Sequence, residues 1–414
     1  MLELLAPAGN FEKAQAAIRF GADAIYFAGP SFGMRSSSTA LSAEEVAKTV
    51  ALAHENGVRA YVAVNTMPRE DEYPALREYL SFLARVAPDA LIVADIGVLF
   101  MAKEIAPNLP IHLSTQANAV SAAACRAWYA LGVSRIVLAR ELSFDEIRAI
   151  RASIPKELEL EAFVHGSMCM SYSGRCLLSS YLTGRDANRG QCTQPCRWNY
   201  KMGHFEGVLY EEKRPDLPIP IEEENGESFF MSSTDLCMVD HIAELAEAGI
   251  TSLKIEGRMK SAYYTATVTN TYRMAIDAWK TGAPPMTDAW RRELDSVSHR
   301  PYATGFYFGL SGGDARITRE NSSHREKAYL AEVISYNAES GEALCIQWNK
   351  LTEGMRAEVL TPKKVGHPFT VSSLQDEHRT PISSAPHPQM LFYMRIPFEV
   401  APGDLVRESL PDSN

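Results

Sequence analysis

The sequence predicts an α/β protein: a (β/α)8, TIM-like barrel with a cysteine-rich insertion, followed by a small C-terminal β-barrel. Three observations point there. Short apolar runs alternate with helical periodicity through the first two-thirds of the chain, and the runs number eight, the strand count of such a barrel. No G-x-G-x-x-G fingerprint follows the first run, which speaks against the doubly wound open sheet that the same alternation allows. Beyond about Gly282 the pattern turns to short strands divided by turn residues.

The eight strands are expected at residues 2–6, 24–28, 60–64, 90–94, 111–114, 135–139, 158–164 and 252–255. Helical periodicity marks 11–20, 43–55, 73–86, 120–131, 144–152 and 238–248. Asn10, Ser42, Asp71 and Ser143 stand where N-caps are needed. Gly21, Gly57, Gly132 and Gly249 stand where helices end and the next strand begins. The gap between the seventh and eighth strands is long, so an insertion of about 166–228 sits at the C-terminal face, where barrels keep their chemistry. The barrel is assigned to 1–282, a connector to 283–325 and the β-domain to 326–414. Within the last, strands are expected at 329–335, 343–348, 355–360, 369–371, 390–396 and 404–407.

Hydrophobic residues make up 46% of the 414, ample for a large core. The net charge of −10 argues against a surface generally coated by nucleic acid. Charge is uneven, however. Residues 166–200 carry Arg175, Arg185, Arg189 and Arg197 against Asp186, and 252–273 carry Lys254, Arg258, Lys260 and Arg273 against Glu256. Such segments mark candidate sites for an anionic ligand. No stretch approaches the roughly 20 apolar residues of a membrane span, and the N-terminus lacks a basic signal-peptide region. The expectation is a cytoplasmic protein with reduced thiols and no membrane association.

Four of the seven cysteines fall in one window: Cys169, Cys176, Cys192 and Cys196, spaced C-x6-C-x15-C-x3-C. Four thiolates can hold zinc or an iron–sulfur cluster. Two disulfides would need an oxidising compartment. Zinc knuckles use C-x2–4-C pairs, and only Cys192 and Cys196 make one, so spacing alone leaves zinc and iron–sulfur open. Cys125 and Cys345 lie in a helix and a strand pattern and read as small core residues. Peptidase chemistry finds little footing: H-E-x-x-H and G-x-S-x-G are absent. Ser167 has His165 nearby, but closeness in sequence does not make a triad.

The stretch Glu161-Ala162-Phe163-Val164-His165-Gly166-Ser167-Met168-Cys169, running on through Ser173-Gly174-Arg175-Cys176 to Ser179, resembles the signature of the collagenase-like peptidases of unassigned catalytic type, peptidase family U32. Leu5-Ala6-Pro7-Ala8-Gly9, Gly21-Ala22-Asp23-Ala24-Ile25-Tyr26 and Ser252-Leu253-Lys254-Ile255-Glu256-Gly257-Arg258-Met259-Lys260-Ser261 fit the same family, so the match runs nearly end to end. The resemblance implies an oxygen-independent hydroxylase with a 4Fe–4S cluster rather than a peptidase. The β-rich C-terminal part is similar to the tRNA 5-hydroxyuridine hydroxylase, TrhP-like, branch, which uses prephenate as co-substrate at the wobble position of tRNA. Two alternatives are kept: a true peptidase, and a subunit, dependent on an unidentified protein partner, of a hydroxylase acting on rRNA or a small molecule.

The resemblance implies Cys169, Cys176, Cys192 and Cys196 as cluster ligands, with Cys237 as an alternative fourth. Prephenate is a dicarboxylate, so cations at strand ends are wanted. Arg35, Lys254, Arg258 and Arg175 are the candidates, and Asn65 and Gln116 are candidates for uracil or substrate hydroxyls. His165 is a candidate proton relay beside Cys169; Tyr172 and Trp198 are candidates for base stacking. Lys254, Glu256 and Arg258 alternate and so share one face. A Lys254–Glu256 pair is expected, leaving Arg258 at the rim for a carboxylate. The arginine-rich insertion and the β-domain are the expected platform for tRNA.

Overall fold

The computed structural model describes residues 2–34, 40–169, 171–172, 175–186, 191–197, 208–211, 214–220, 222–224, 227–229, 233–309 and 327–409. Arg35 and Trp198 lie outside the described residues. Eight parallel strands close into a barrel. They are β1 (Glu3–Pro7), β2 (Ala24–Ala28), β3 (Arg59–Val64), β4 (Ala90–Val93), β5 (Ile111–Leu113), β6 (Arg135–Val137), β7 (Glu159–Ser167) and the last strand, Ser252–Ile255. Each pairs with the next, and the last strand pairs with both β7 and β1, which completes the ring.

Helices α1 (Phe11–Arg19), α2 (Ala43–Glu55), α3 (Tyr73–Val86), α4 (Ile96–Ile105), α5 (Ala122–Ala130) and α6 (Phe144–Ala152) alternate with strands β1 to β7. Asn10 caps α1, and Ser42 and Ser143 form capping boxes with Glu45 and Glu146. The four helix-ending glycines all take positive φ, from 68° to 97°. Asp71 is not a cap. It lies in a single 3-10 turn, Glu70–Glu72, whose Glu72 carboxylate accepts the Arg69 N–H at 2.7 Å. Pro74, which has no N–H to satisfy, opens α3 behind it.

The insertion after β7 holds a short helix, α7 (Leu178–Thr183), and two hairpins, β8 (Val208–Glu211) with β9 (Arg214–Pro220) and β10 (Glu222–Glu224) with β11 (Glu227–Phe229). The chain returns through β12 (Asp235–Cys237) and α8 (Ile242–Glu247) to the last barrel strand, β13 (Ser252–Ile255). Strand β7 is longer than its apolar run. Its end leaves the barrel and pairs antiparallel with β12, Cys237 opposite His165 and Leu236 opposite Gly166.

The long α9 (Ala262–Thr281) then packs against α1 and β1, and α10 (Thr287–Leu294) and β14 (Tyr302–Ala303) occupy the connector. Trp290, Leu294 and Val297 of the connector join the barrel's own core cluster.

The C-terminal domain has the strands β15 (Tyr329–Asn337), β16 (Glu342–Gln347), β17 (Leu351–Thr352), β18 (Arg356–Leu360), β19 (His367–Thr370), β20 (Ser372–Asp376), β21 (Ser384–Ala385), β22 (Leu391–Arg395) and β23 (Leu405–Glu408). Seven form an antiparallel sheet in the order β19-β18-β23-β15-β16-β22-β20. The edge strands β19 and β20 are consecutive in the chain, with Val371 alone between them. The sheet therefore curls until its edges approach, as in a small barrel. Alternate residues of β16 point inward, among them Ala343 and Cys345.

Arg407 locks this domain to the barrel. It is 1% exposed, and its Nη2 lies 2.8 Å from both Glu293 and Glu358. Arg19 of α1 pairs with the buried Asp404 at 2.5 Å. Asn270 of α9 reaches the backbone of Lys363 and Lys364.

Candidate active site

The inside of the barrel is layered. At its N-terminal end lies a charged floor. Glu3 accepts hydrogen bonds from Tyr61 (2.7 Å) and Ser252 (2.8 Å) and pairs with Arg59 and Arg135. Arg135 also reaches Glu159 and Glu161. Glu161 is fully buried and takes the Lys254 ammonium at 2.8 Å. Burial pushes the Glu161 carboxyl up, but Lys254 and Arg135 outweigh it and hold the group below the usual carboxylate range. His112 sits in the same interior. Burial first, and then Arg135, hold it well below its ordinary pKa, so it is neutral.

Lys254 therefore pairs with Glu161, not with Glu256 as the alternation of its own strand suggested. A fully buried carboxylate needs a cation, and the neighbouring strand supplies the nearest long one. The ammonium lies 4.4 Å from the Tyr26 ring centroid and 5.5 Å from that of Phe163, both cation–π distances. Glu256 sits one step higher, with its carboxylate 3.3 Å from the Tyr26 hydroxyl.

Above this floor a cavity opens at the C-terminal mouth. Lys254, Glu256 and Arg258 line it from β13 and its exit, all three on one side as the alternation predicts. Asn65 and Gln116 line it from the loops after β3 and β5. Asn65 accepts the Met34 N–H (3.0 Å) and donates to Ser114 (3.2 Å), so it knits three loops together. Arg258 is buried against the wall rather than standing at the rim. Its carbonyl approaches Gly9 so closely that a Cβ there would lie 2.0 Å away.

Arg140 was missed by sequence reasoning and also lines the cavity. Its guanidinium stacks 5.1 Å from the Phe163 centroid and donates to the Ser167 carbonyl at 3.0 Å. It lies in the loop after β6, beyond Leu138 and Ala139. The strand-end rule that singled out Asn65 and Gln116 would have found it.

Cys169, Cys176, Cys192 and Cys196 all line this same cavity. Cys169 follows β7, Cys176 precedes α7, and Cys196 lies in a 3-10 turn, Pro195–Arg197. Ser179 of α7 bonds to the Thr193 backbone (3.1 Å) and hydroxyl (3.0 Å), which binds the two halves of the cysteine segment together. None of the four is in a disulfide. Four soft thiol donors around one cavity match an all-cysteine iron–sulfur site in number and ligand type. Among the described residues, no three His, Cys, Asp or Glu side chains gather closely enough to hold a single metal ion.

Cys237 is not among the residues lining this cavity. Its Sγ lies 4.0 Å from the Tyr272 hydroxyl, and burial pushes its thiol up to about 12. Cys125 and Cys345 are buried core residues, as expected.

His165 is not brought into the cavity either. The register between β7 and β13 shifts by one after Lys254: Phe163 faces Lys254, but Ile255 faces His165. This bulge at Val164 reverses the alternation. The imidazole turns outward among aromatic rings, its nitrogens each 3.5 Å from the hydroxyls of Tyr272 and Tyr302. Burial first, then the charges of His299 and Lys260, hold its pKa down to about 3. Gly166, at φ 102°, completes the turn; a Cβ there would lie 2.4 Å from the Glu256 carbonyl. Arg175 lies outside the cavity as well, in a shallow depression beside it.

A model of peptidase family U32 matches residues 9–317, and one of the family's C-terminal domain matches 325–407. The chain belongs to peptidase family U32. A U32 relative in Bacillus subtilis (strain 168), tRNA hydroxylation protein P1, is 35% identical over 414 residues, spanning 98% of this chain and 94% of its own length. The tRNA hydroxylation protein P of Haemophilus influenzae is 36% identical, spanning 87% and 86%. A protein of Porphyromonas gingivalis named collagenase is 31% identical, spanning 82% of each. Among the described residues of this U32 chain, no helix is long and apolar enough to cross a membrane.

Proposed function

We propose that this protein hydroxylates tRNA, forming 5-hydroxyuridine at the wobble position with prephenate rather than molecular oxygen as co-substrate. The observation that carries the proposal is the convergence of all four clustered cysteines with Lys254, Arg258 and Arg140 on one cavity. Its near-full-length similarity to proteins named for tRNA hydroxylation supports the choice of RNA. Cys169, Cys176, Cys192 and Cys196 would hold a 4Fe–4S cluster. When bound, such a cluster supplies electron transfer, at a potential set by its surroundings.

The chain's own residues do the rest. Arg140 and Arg258 bind the two carboxylates of prephenate, since a guanidinium matches a carboxylate in a two-point fork. Lys254, paired with Glu161, adds positive potential beneath them. Asn65 and Gln116 offer amide edges to uracil, and Glu256 accepts a proton or hydrogen bond at the mouth. His165 is outside this set.

A peptidase reading takes support from the relative named collagenase. Against it, the His165 nitrogens face Tyr272 and Tyr302, so His165 is not placed to activate Ser167. Residues 166–200 carry Arg175, Arg185, Arg189 and Arg197 against Asp186 alone, whereas across 327–409 acidic residues outnumber Lys and Arg, which directs tRNA to the mouth and the arginine-rich first part of the insertion rather than to the β-domain.

Nucleoside mass spectrometry of tRNA from cells lacking the gene tests the proposal. Hydroxyuridine should vanish, return with the wild-type gene and stay absent with Cys169→Ala. An unchanged nucleoside profile would overturn it.

A further inference from the structure

A shallow depression opens beside the cysteine cavity, and the two share a rim. Ser171 and Tyr172 line both, and Asn118, Val120 and Arg175 complete the depression. Tyr172 is 49% exposed and Val120 is 44% exposed, so an aromatic ring and an aliphatic side chain face solvent at the barrel mouth. Arg175 is exposed but steered: its Nε donates to the Asn118 Oδ1 at 2.7 Å. Asn118 sits in the left-handed region (φ 51°, ψ 49°), closing the one-turn helix Thr115–Ala117 that also carries Gln116. The Arg175 N–H donates to the Tyr172 carbonyl at 3.0 Å, which folds guanidinium and ring into one patch. The steering bond uses Nε; the terminal edge of a guanidinium suits a phosphate.

We propose, resting on the tRNA reading above, that this depression is a subsite for a nucleotide adjoining the target, with its base on Tyr172 and its phosphate on Arg175. An enzyme that acts on a base must take it out of its stack, and the neighbouring nucleotide then loses its own stacking partner. An exposed aromatic ring on the rim replaces that partner whatever the base. Because Ser171 and Tyr172 line both hollows, consecutive nucleotides would occupy cavity and depression together.

The test uses full-length, anaerobically purified protein and a fluorescein-labelled RNA hairpin carrying the target uridine in its loop. Anisotropy gives the affinity at several salt concentrations. Tyr172→Ala should weaken binding about tenfold, and Tyr172→Phe should bind like wild type, because the ring is what stacks. Arg175→Ala should weaken binding and lower the slope of log K against log salt by about 0.7, the value of one single-strand phosphate. Hairpins with an abasic residue on either side of the target locate the stack. Wild type should lose about tenfold on one side only, and Tyr172→Ala should lose nothing further on that hairpin.

Equal affinity of wild type for all the hairpins would overturn the subsite, even if the variants proved misfolded. Unchanged affinity of Tyr172→Ala and Arg175→Ala would do the same while leaving the tRNA reading intact. Wild type that binds no RNA would overturn both. An Arg175→Ala defect in prephenate dependence with RNA affinity unchanged would reassign the arginine to the co-substrate.

Discussion

Lys254 shows how a single buried pair sets up the cavity floor. Its ammonium is fixed by Glu161, which Arg135 and Ser252 hold in turn. Glu161→Gln leaves two buried cations short of a partner and should destabilise the protein by about 3–5 kcal/mol at neutral pH. The sign of its pH dependence follows from the lowered carboxyl pKa. The stability Glu161 contributes is present above its unfolded value and is lost as pH falls through the folded one. Thermal unfolding of wild type and variant should therefore converge in acid. A gap that stays constant down to pH 3 would contradict the pairing.

His165 gives a second pH signature. With a folded pKa of about 3 against the ordinary value of 6.5, the unfolded state binds the proton first. Stability should fall as pH drops between those values, by up to about 1.4 kcal/mol per unit from this group alone. His165→Phe should flatten that decline in equilibrium unfolding, and an unaltered slope would place the effect elsewhere. The residue types were legible in the sequence, but the partners were not. Period-two alternation put Lys254, Glu256 and Arg258 on one inward face correctly, yet it says nothing of the adjacent strand, where Glu161 waits.

Elements carry the next level. The cysteine insertion was readable because spacing is a one-dimensional signal, and all four thiols line one cavity. Iron and acid-labile sulfide should be lost from Cys196→Ala and retained in Cys237→Ala, assayed on anaerobically prepared protein. The reverse result would move the fourth ligand to β12. The bulge at Val164 was not readable, since one extra residue in a strand leaves no mark on an apolar run. It decides that Phe163 faces the cavity and His165 does not.

Gly166→Ala should disturb this turn and cost about 1–3 kcal/mol, because a Cβ would meet the Glu256 carbonyl and the φ is positive. Calorimetry showing no loss would mean that the turn relaxes freely. Helices α4 and α9 escaped the sequence reading for a related reason. α4 opens with seven apolar or small residues in succession, and α9 is covered on nearly every side, so neither shows a clean polar face.

At the scale of the whole molecule, the barrel and the β-domain are joined by a buried ionic knot rather than by a simple linker. Arg407 meets Glu293 of the connector and Glu358 of its own sheet, with Ser296 at 3.1 Å. Arg407→Ala takes the arginine from Glu293 and leaves Glu358 with Lys327 alone, and should cost about 3–5 kcal/mol, seen as earlier unfolding and faster proteolysis at the domain seam. The sequence located both domains through their different periodicities but could not show that Arg407 is interior, since arginine is usually exposed. Asn270 ties α9, which packs on β1, to the same domain through Lys363 and Lys364.

The proposed modification of tRNA at the cysteine-lined cavity is read most directly from its product. Anaerobically purified protein should be incubated with unmodified tRNA and prephenate, and the digested nucleosides weighed by mass spectrometry. Formation of 5-hydroxyuridine that requires prephenate and is lost in Cys169→Ala is the predicted result. Unaltered tRNA from iron-loaded protein that cleaves a peptide substrate would contradict it.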